Sequence, residues 1–179
     1  MLKKIIFLWG ILCLFGCALP VAQPFTIIDF REEEPIILPV AQVEVKDQTT
    51  RYTELPHLES RIPVTPAYAL KTALENRFKG SFENKGTATF IIKTADLTQK
   101  EDPSDHWYIL NNVEYLLTYQ IDVIYSSPTG QKVQHLSGWE KQALPKRSSL
   151  RDKEAAWQKM INAMIQKTTD KIQADILFK

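Results

Sequence analysis

Between 113 and 125 every second residue is apolar or aromatic: Val113, Tyr115, Leu117, Tyr119, Ile121, Val123 and Tyr125. Glu114, Thr118, Gln120 and Asp122 fall on the other phase. Side chains of a strand point to opposite faces in turn, so this run describes a long β-strand, about 108–125, with one face buried. No helix gathers those positions on one stripe, so the rest of the chain must supply pairing partners and a layer to cover that face. Ser126-Ser127-Pro128-Thr129-Gly130 is a cluster of turn formers. The chain then returns over 131–143 as a hairpin partner, Val133, His135, Ser137 and Trp139 alternating with Gln134, Leu136, Gly138 and Glu140. A bulge is expected near Gly138.

The other elements follow from period and punctuation. Residues 36–45 read as a strand, with Ile37, Ala41, Val43 and Val45 on one face and Pro39 arguing for an edge or a bulge. Thr65 is placed to cap a helix that opens at Pro66, buries Ala67, Leu70, Leu74 and Phe78, and ends at Gly80. Residues 86–97 alternate as a strand with Ala88, Phe90 and Ile92 inward, and 99–105 reads as a turn or loop. Ser149 and Asp152 form a variant capping box before a last helix striped by Trp157, Ile161, Met164, Thr168, Ile172 and Ile176 and widened by Met160 and Ile165. The expected fold is α+β, in the order β-α-β-β-β-α: a largely antiparallel sheet of about four strands with two helices packed on one face. Ile91, Leu116 and Ile124 would then lie on the second face, implying partial cover by the segment around 25–30 or by a partner.

The N-terminus is of another kind. Lys3 and Lys4 precede 11 apolar residues, 5–15, whereas crossing about 30 Å of hydrocarbon takes roughly 20; a basic start, a short apolar stretch and a small residue form a secretory signal. Leu14-Phe15-Gly16-Cys17 resembles the lipobox of bacterial lipoproteins, Phe15 being bulkier than that pattern usually holds. The resemblance implies removal of 1–16 and attachment of diacylglyceryl and palmitate-type chains to Cys17, an anchorage of about 0.8 kcal/mol per buried methylene. A plain signal cut at Ala18 or Ala22 is the alternative. Residues 17–34 form a lipidated start and tether, and 35–179 a single domain. Where lipoproteins are sorted by the residue after the cysteine, aspartate retains them in the inner membrane; Ala18 points to the outer membrane, periplasmic face. The mature chain loses Cys13, leaves Cys17 to lipid, and changes net charge from +1 to −1, since Lys3 and Lys4 are the only charges before residue 17. Disulfides, thiol chemistry and cysteine metal sites drop out, and nothing suggests nucleic acid.

Chemistry-bearing patterns are sparse. His57, His106 and His135 stand apart with no metal-ligand spacing. Serines cluster in turns and caps, no G-x-S-x-G occurs, and the four glycines after Cys17 form no phosphate loop. No enzyme, cofactor or metal site is expected. What remains is contact surface. Residues 46–65, polar with Pro56, Pro63, His57 and Arg61, form a connection longer than compact domains usually tolerate without function. Lys146, Arg147 and Arg151, beside Lys141 and Lys153, place cations at a helix start, where the dipole disfavours them; lipid phosphates or an acidic partner would suit them. Tyr115, Tyr119, Tyr125, Trp107 and Trp139 read as core, Trp107 excepted as a possible contact ring.

Three stretches carry a family resemblance: Val-Ala-Gln-Val-Glu-Val at 40–45, Arg-Ile-Pro-Val-Thr-Pro-Ala-Tyr-Ala-Leu at 61–70, and Leu-Arg-Asp-Lys-Glu-Ala-Ala-Trp at 150–157. Through them the region 39–178 resembles a group of uncharacterised lipoproteins of alphaproteobacterial type. Its motifs are structural and imply no activity. In layout alone, the chain is similar to auxiliary lipoproteins of ABC-type transport systems and to the lipopolysaccharide-assembly lipoprotein. The implied function is that of a non-enzymatic accessory subunit that binds an envelope protein or lipid. A lipid or small-molecule carrier with a cleft beside the aromatic strand face is the alternative.

Overall fold

The computed structural model describes residues 24–82, 85–101, 112–128 and 130–177. In chain order its elements are β1 (Ile36–Leu38), β2 (Gln42–Asp47), α1 (Pro66–Arg77), β3 (Phe78–Gly80), β4 (Thr87–Glu101), β5 (Asn112–Ser127), β6 (Gly130–Pro145) and α2 (Leu150–Leu177). The main sheet runs β2-β4-β5-β6. β5 pairs antiparallel with both β4 and β6, whereas β2 lies parallel to β4, as the crossover through α1 requires. The expected α+β class, four-stranded and mostly antiparallel, is the observed one.

The alternating run of β5 holds the molecule together. Val113, Tyr115, Leu117, Tyr119, Ile121 and Val123 are all buried, flanked by Ala88, Phe90 and Ile92 of β4. The helices close over this face with Leu70, Ala73 and Leu74 of α1 and Trp157, Ile161, Met164, Ile165 and Ile172 of α2. Each large side chain so buried contributes about 1.5–3 kcal/mol. Trp157 meets Tyr115 edge-on at 5.7 Å between ring centroids. Thr65 caps α1, its hydroxyl accepting from the Tyr68 amide at 3.3 Å. At α2 the Ser149 amide and hydroxyl both donate to Asp152 Oδ2, while the Asp152 amide donates back to Ser149 Oγ, which is the reciprocal capping box.

Several local expectations are corrected. The strand over 36–45 is two strands, broken at Pro39 because proline offers no amide to a ladder. β1 leaves the main sheet to pair in parallel with β3, a two-stranded addition without an alternating sequence signal. α1 ends at Arg77, and the next residue, Phe78, turns extended and buries its ring 5.4 Å from Phe90; Gly80 belongs to β3 instead. β4 runs on through 99–101, where the sequence reads as a turn or loop; 102–105, the rest of that stretch, lie outside the described residues. The bulge lies in β4 between Ile92 and Thr94, not at Gly138, and β5 pairs with β6 without a register shift. Inward positions therefore change phase from Ala88, Phe90 and Ile92 to Ala95 and Leu97. Gly138 sits opposite Tyr119, whose ring fills the place of a side chain: a Cβ there would lie 2.3 Å from the phenol oxygen.

The segment 24–30 neither forms a strand nor covers the second sheet face. It bridges the helices, with the Ile28 amide donating to Asn162 Oδ1 of α2 and Asn76 of α1 donating to the Asp29 carbonyl. Phe30 takes a positive φ of 56° and is buried, with the Arg77 guanidinium 4.9 Å from its ring centroid. No helix among the described residues is long and apolar enough to cross a membrane.

Candidate functional site

β2 pairs only with 87–92 of β4, leaving the later half of that edge bare. Residues 48–58 close it. The Gln48 amide donates to the Ile92 carbonyl, the Leu58 amide to Leu97, and the Gln99 amide to Pro56, while the Leu58 side chain enters the core. A strand edge with free amides must be paired or capped, and this gives the long polar connection its local reason. His57 Nδ1 lies 2.6 Å from Asp96 Oδ2, and the Tyr52 ring stacks on the imidazole at 3.9 Å. The second carboxylate oxygen of Asp96 is buried without a hydrogen-bond partner among the described residues.

Between this connection and the first turn of α1 opens a cleft of about 530 Å³, lined among others by Asp47, Arg51, Tyr52, Glu59, Tyr68 and Lys71. Its carboxylates are engaged locally: Asp47 accepts from the amide and hydroxyl of Thr49, and Glu59 from the Tyr52 amide. Arg51 has no ion pair among the described residues, and Lys71 reaches only Glu75, at 3.8 Å. Hydrogen bonds from neutral groups leave Asp47 and Glu59 charged, so beside the positive end of α1 the cleft sets two carboxylates against two cations. Tyr68 is 60% and Tyr52 42% exposed, large rings offered to solvent.

The second sheet face carries another histidine pair: His135 Nδ1 lies 2.6 Å from Asp122, with Lys93 at 3.6 Å on the other side. The hydrogen bond from His135, helped by Lys93, holds the Asp122 carboxyl below its ordinary value. A carboxylate-oriented imidazole is two-thirds of a hydrolytic triad, yet neither ring has a Ser, Thr or Cys hydrogen-bonded to it among the described residues. The described residues contain no group of three His, Cys, Asp or Glu side chains able to hold a metal.

The residues singled out from sequence fall in separate places. His57 is pinned to the sheet, and Arg61 is exposed at the end of the same connection. Lys146 pairs with Glu101 at 2.6 Å and Lys141 with Glu114 at 2.6 Å, so the basic loop is partly neutralised; Arg147 is exposed. Arg151 lines a separate depression with Phe25 and Glu154. Tyr115 and Tyr119 are core, while Trp139 is 64% exposed on the second sheet face. Cys17 and Trp107 lie outside the described residues. Sequence reasoning missed Asp96, Asp122, Tyr68 and Lys71. For the two aspartates the signal was a carboxylate amid alternating strand positions; for Tyr68 and Lys71 there was none, since both look like the solvent face of a helix.

No protein-family model matches the chain, and no curated protein matches it. Among solved structures, it is similar to the rare lipoprotein B from Shewanella oneidensis, with a TM-score of 0.45 and 9% identity over 74% of this chain and 95% of that one. It is also similar to a minor lipoprotein from Acinetobacter baumannii, with a TM-score of 0.39 and 12% identity over 74% of this chain and 93% of that one. Neither likeness bears on what this chain does.

Proposed function

We propose that the protein is a non-enzymatic accessory lipoprotein. Acyl chains on Cys17 hold it to the periplasmic face of the outer membrane, and it binds an envelope component, protein or lipid, at the cleft between residues 46–65 and α1. The observation that carries this reading is where the concave surface lies. The space between helices and sheet is filled by Tyr115, Phe78, Phe90, Leu117 and Ile161, each almost wholly buried, while the cleft, with exposed tyrosines and an Arg51 that has no ion pair among the described residues, is outside and open. A carrier would need the first space, and the rings it would use, Tyr115 and Tyr119, are core under α2. Exposed tyrosines beside an uncommitted arginine are the residue types that interfaces favour.

The test uses the full lipidated chain in intact cells, with a photo-crosslinking residue at Tyr68 and, as control, at the exposed Arg31. The expected result is an adduct of defined mass from position 68 alone, lost when Arg51→Glu and Lys71→Glu are combined. Absence of any adduct from position 68, or the same adducts from both positions, overturns the proposal.

A further inference from the structure

The two edges of the main sheet are treated differently. On one side β2 and then residues 48–58 cover β4 along its length. On the other side β6, 16 residues long, pairs with β5 from Gly130 to Pro145, and no strand among the described residues pairs its outer edge. β6 has no proline before Pro145 and its register is unbroken, so what guards this edge against strand addition is charge, at Lys132, Glu140 and Lys141. A groove of about 410 Å³, lined by β6 at Glu140, Lys141 and Gln142 and by α2 at Lys159, Met160 and Ala163, runs beside the strand with no residue of β5 in its wall. A strand edge next to a helix wall is the geometry in which an extended peptide adds to a sheet.

Side-chain chemistry narrows the occupant. On the helix side, Glu140 is tied to Lys167 at 2.6 Å and Asp175, near Lys132, accepts from Gln134, while Lys159 and Lys132 have no ion pair among the described residues. On the opposite side of β6, Trp139 is 64% and Val133 47% exposed. An added strand alternates its side chains between those two environments. We propose that the β6 edge is a strand-addition site for an extended segment of a partner protein, acidic at alternate positions toward α2 and apolar at those between. The inference rests on the accessory reading only in that a partner supplies the segment; binding at β6 and crosslinking at Tyr68 succeed or fail separately.

The probe is the blocked heptapeptide Glu-Val-Glu-Val-Glu-Val-Glu, titrated to millimolar concentration into the full lipidated chain in detergent micelles and followed by amide hydrogen exchange. The expected result is slowed exchange in 130–145 and none in 42–47. Lys159→Glu should weaken binding about tenfold, the sum of an attraction lost and a repulsion gained. Methylating alternate peptide nitrogens on the pairing edge should abolish it, while leaving its charges intact. No protection of β6, equal protection by the Lys-Val counterpart, or sedimentation as a dimer with β6 protected in the absence of peptide each overturns the proposal, the last by assigning the edge to a second copy.

Discussion

Tyr125 lies at the end of the buried face of β5, and its hydroxyl is buried without a hydrogen-bond partner among the described residues. Burial, with the Asp175 carboxylate adding to it, pushes the phenol up to about 12 from its ordinary 10.0. The folded state thus keeps a proton that the unfolded chain gives up. Stability from this group is full below pH 10 and is lost as pH rises toward 12. Tyr125→Phe should raise stability at neutral pH, because it removes a buried hydroxyl without a partner, and make the alkaline decline shallower; urea melts from pH 8 to 11 check both. Tyr115 and Tyr119, also raised by burial, account for the decline that remains. Asp122 runs the other way. Its lowered value gives stability that is present above the ordinary 3.8 and is lost as pH falls through the folded value. Thermal melts of Asp122→Asn should show a flatter acid limb. Gly138 is a packing matter: in Gly138→Ala the new methyl meets the Tyr119 ring, at a cost of about 1–3 kcal/mol. The same change on a Tyr119→Leu background should cost less, and a double-mutant cycle by urea unfolding measures the difference.

At the scale of elements, legibility followed the length of the repeating pattern. β5 and α2 repeat their apolar positions over many turns of their period, so face and extent could be read before any contact was known. The capping box at Ser149 and Asp152 is equally local, two side chains and two amides within four residues. Ser149→Ala should cost about 1 kcal/mol, and Asp152→Ala added to it should cost clearly less than its single effect, because the two form one unit; chemical denaturation checks this. Short or interrupted elements escaped. β1 and β3, three residues each, hold no period; beside them Gly80 lets the 40–41 link pass close, since a Cβ there would stand 2.5 Å from the Ala41 carbonyl oxygen. The β4 bulge escaped because it converts one alternating run into two of opposite phase, which in sequence resembles the end of a strand.

At the scale of the whole molecule, the sheet has two faces that differ, and the proposed anchor is Cys17. One face is sealed by α1 and α2; the other shows Trp139, Val133 and two histidine–aspartate pairs to the surroundings. Residues 24–30 dock across the helices, on the sealed side and away from the second sheet face. Cys17→Ala should move the full chain from the membrane to the aqueous fraction of the cell envelope and abolish incorporation of labelled palmitate. A variant that stays with the membrane would show that protein contacts, not acyl chains, hold it there.

By itself the sequence determined the α+β class, the long hairpin and both capped helices, because each rests on periodicity or on chemistry between near neighbours. Tertiary structure decided what distant residues do together. It set the parallel placement of β2 and brought His57 to Asp96 across 39 positions. It also spent the connection at 46–65 partly on closing a strand edge, and left the β6 edge without a pairing strand among the described residues. Those outcomes depend on which backbone groups are already paired and which surfaces already buried once the sheet has formed, and no local pattern encodes that.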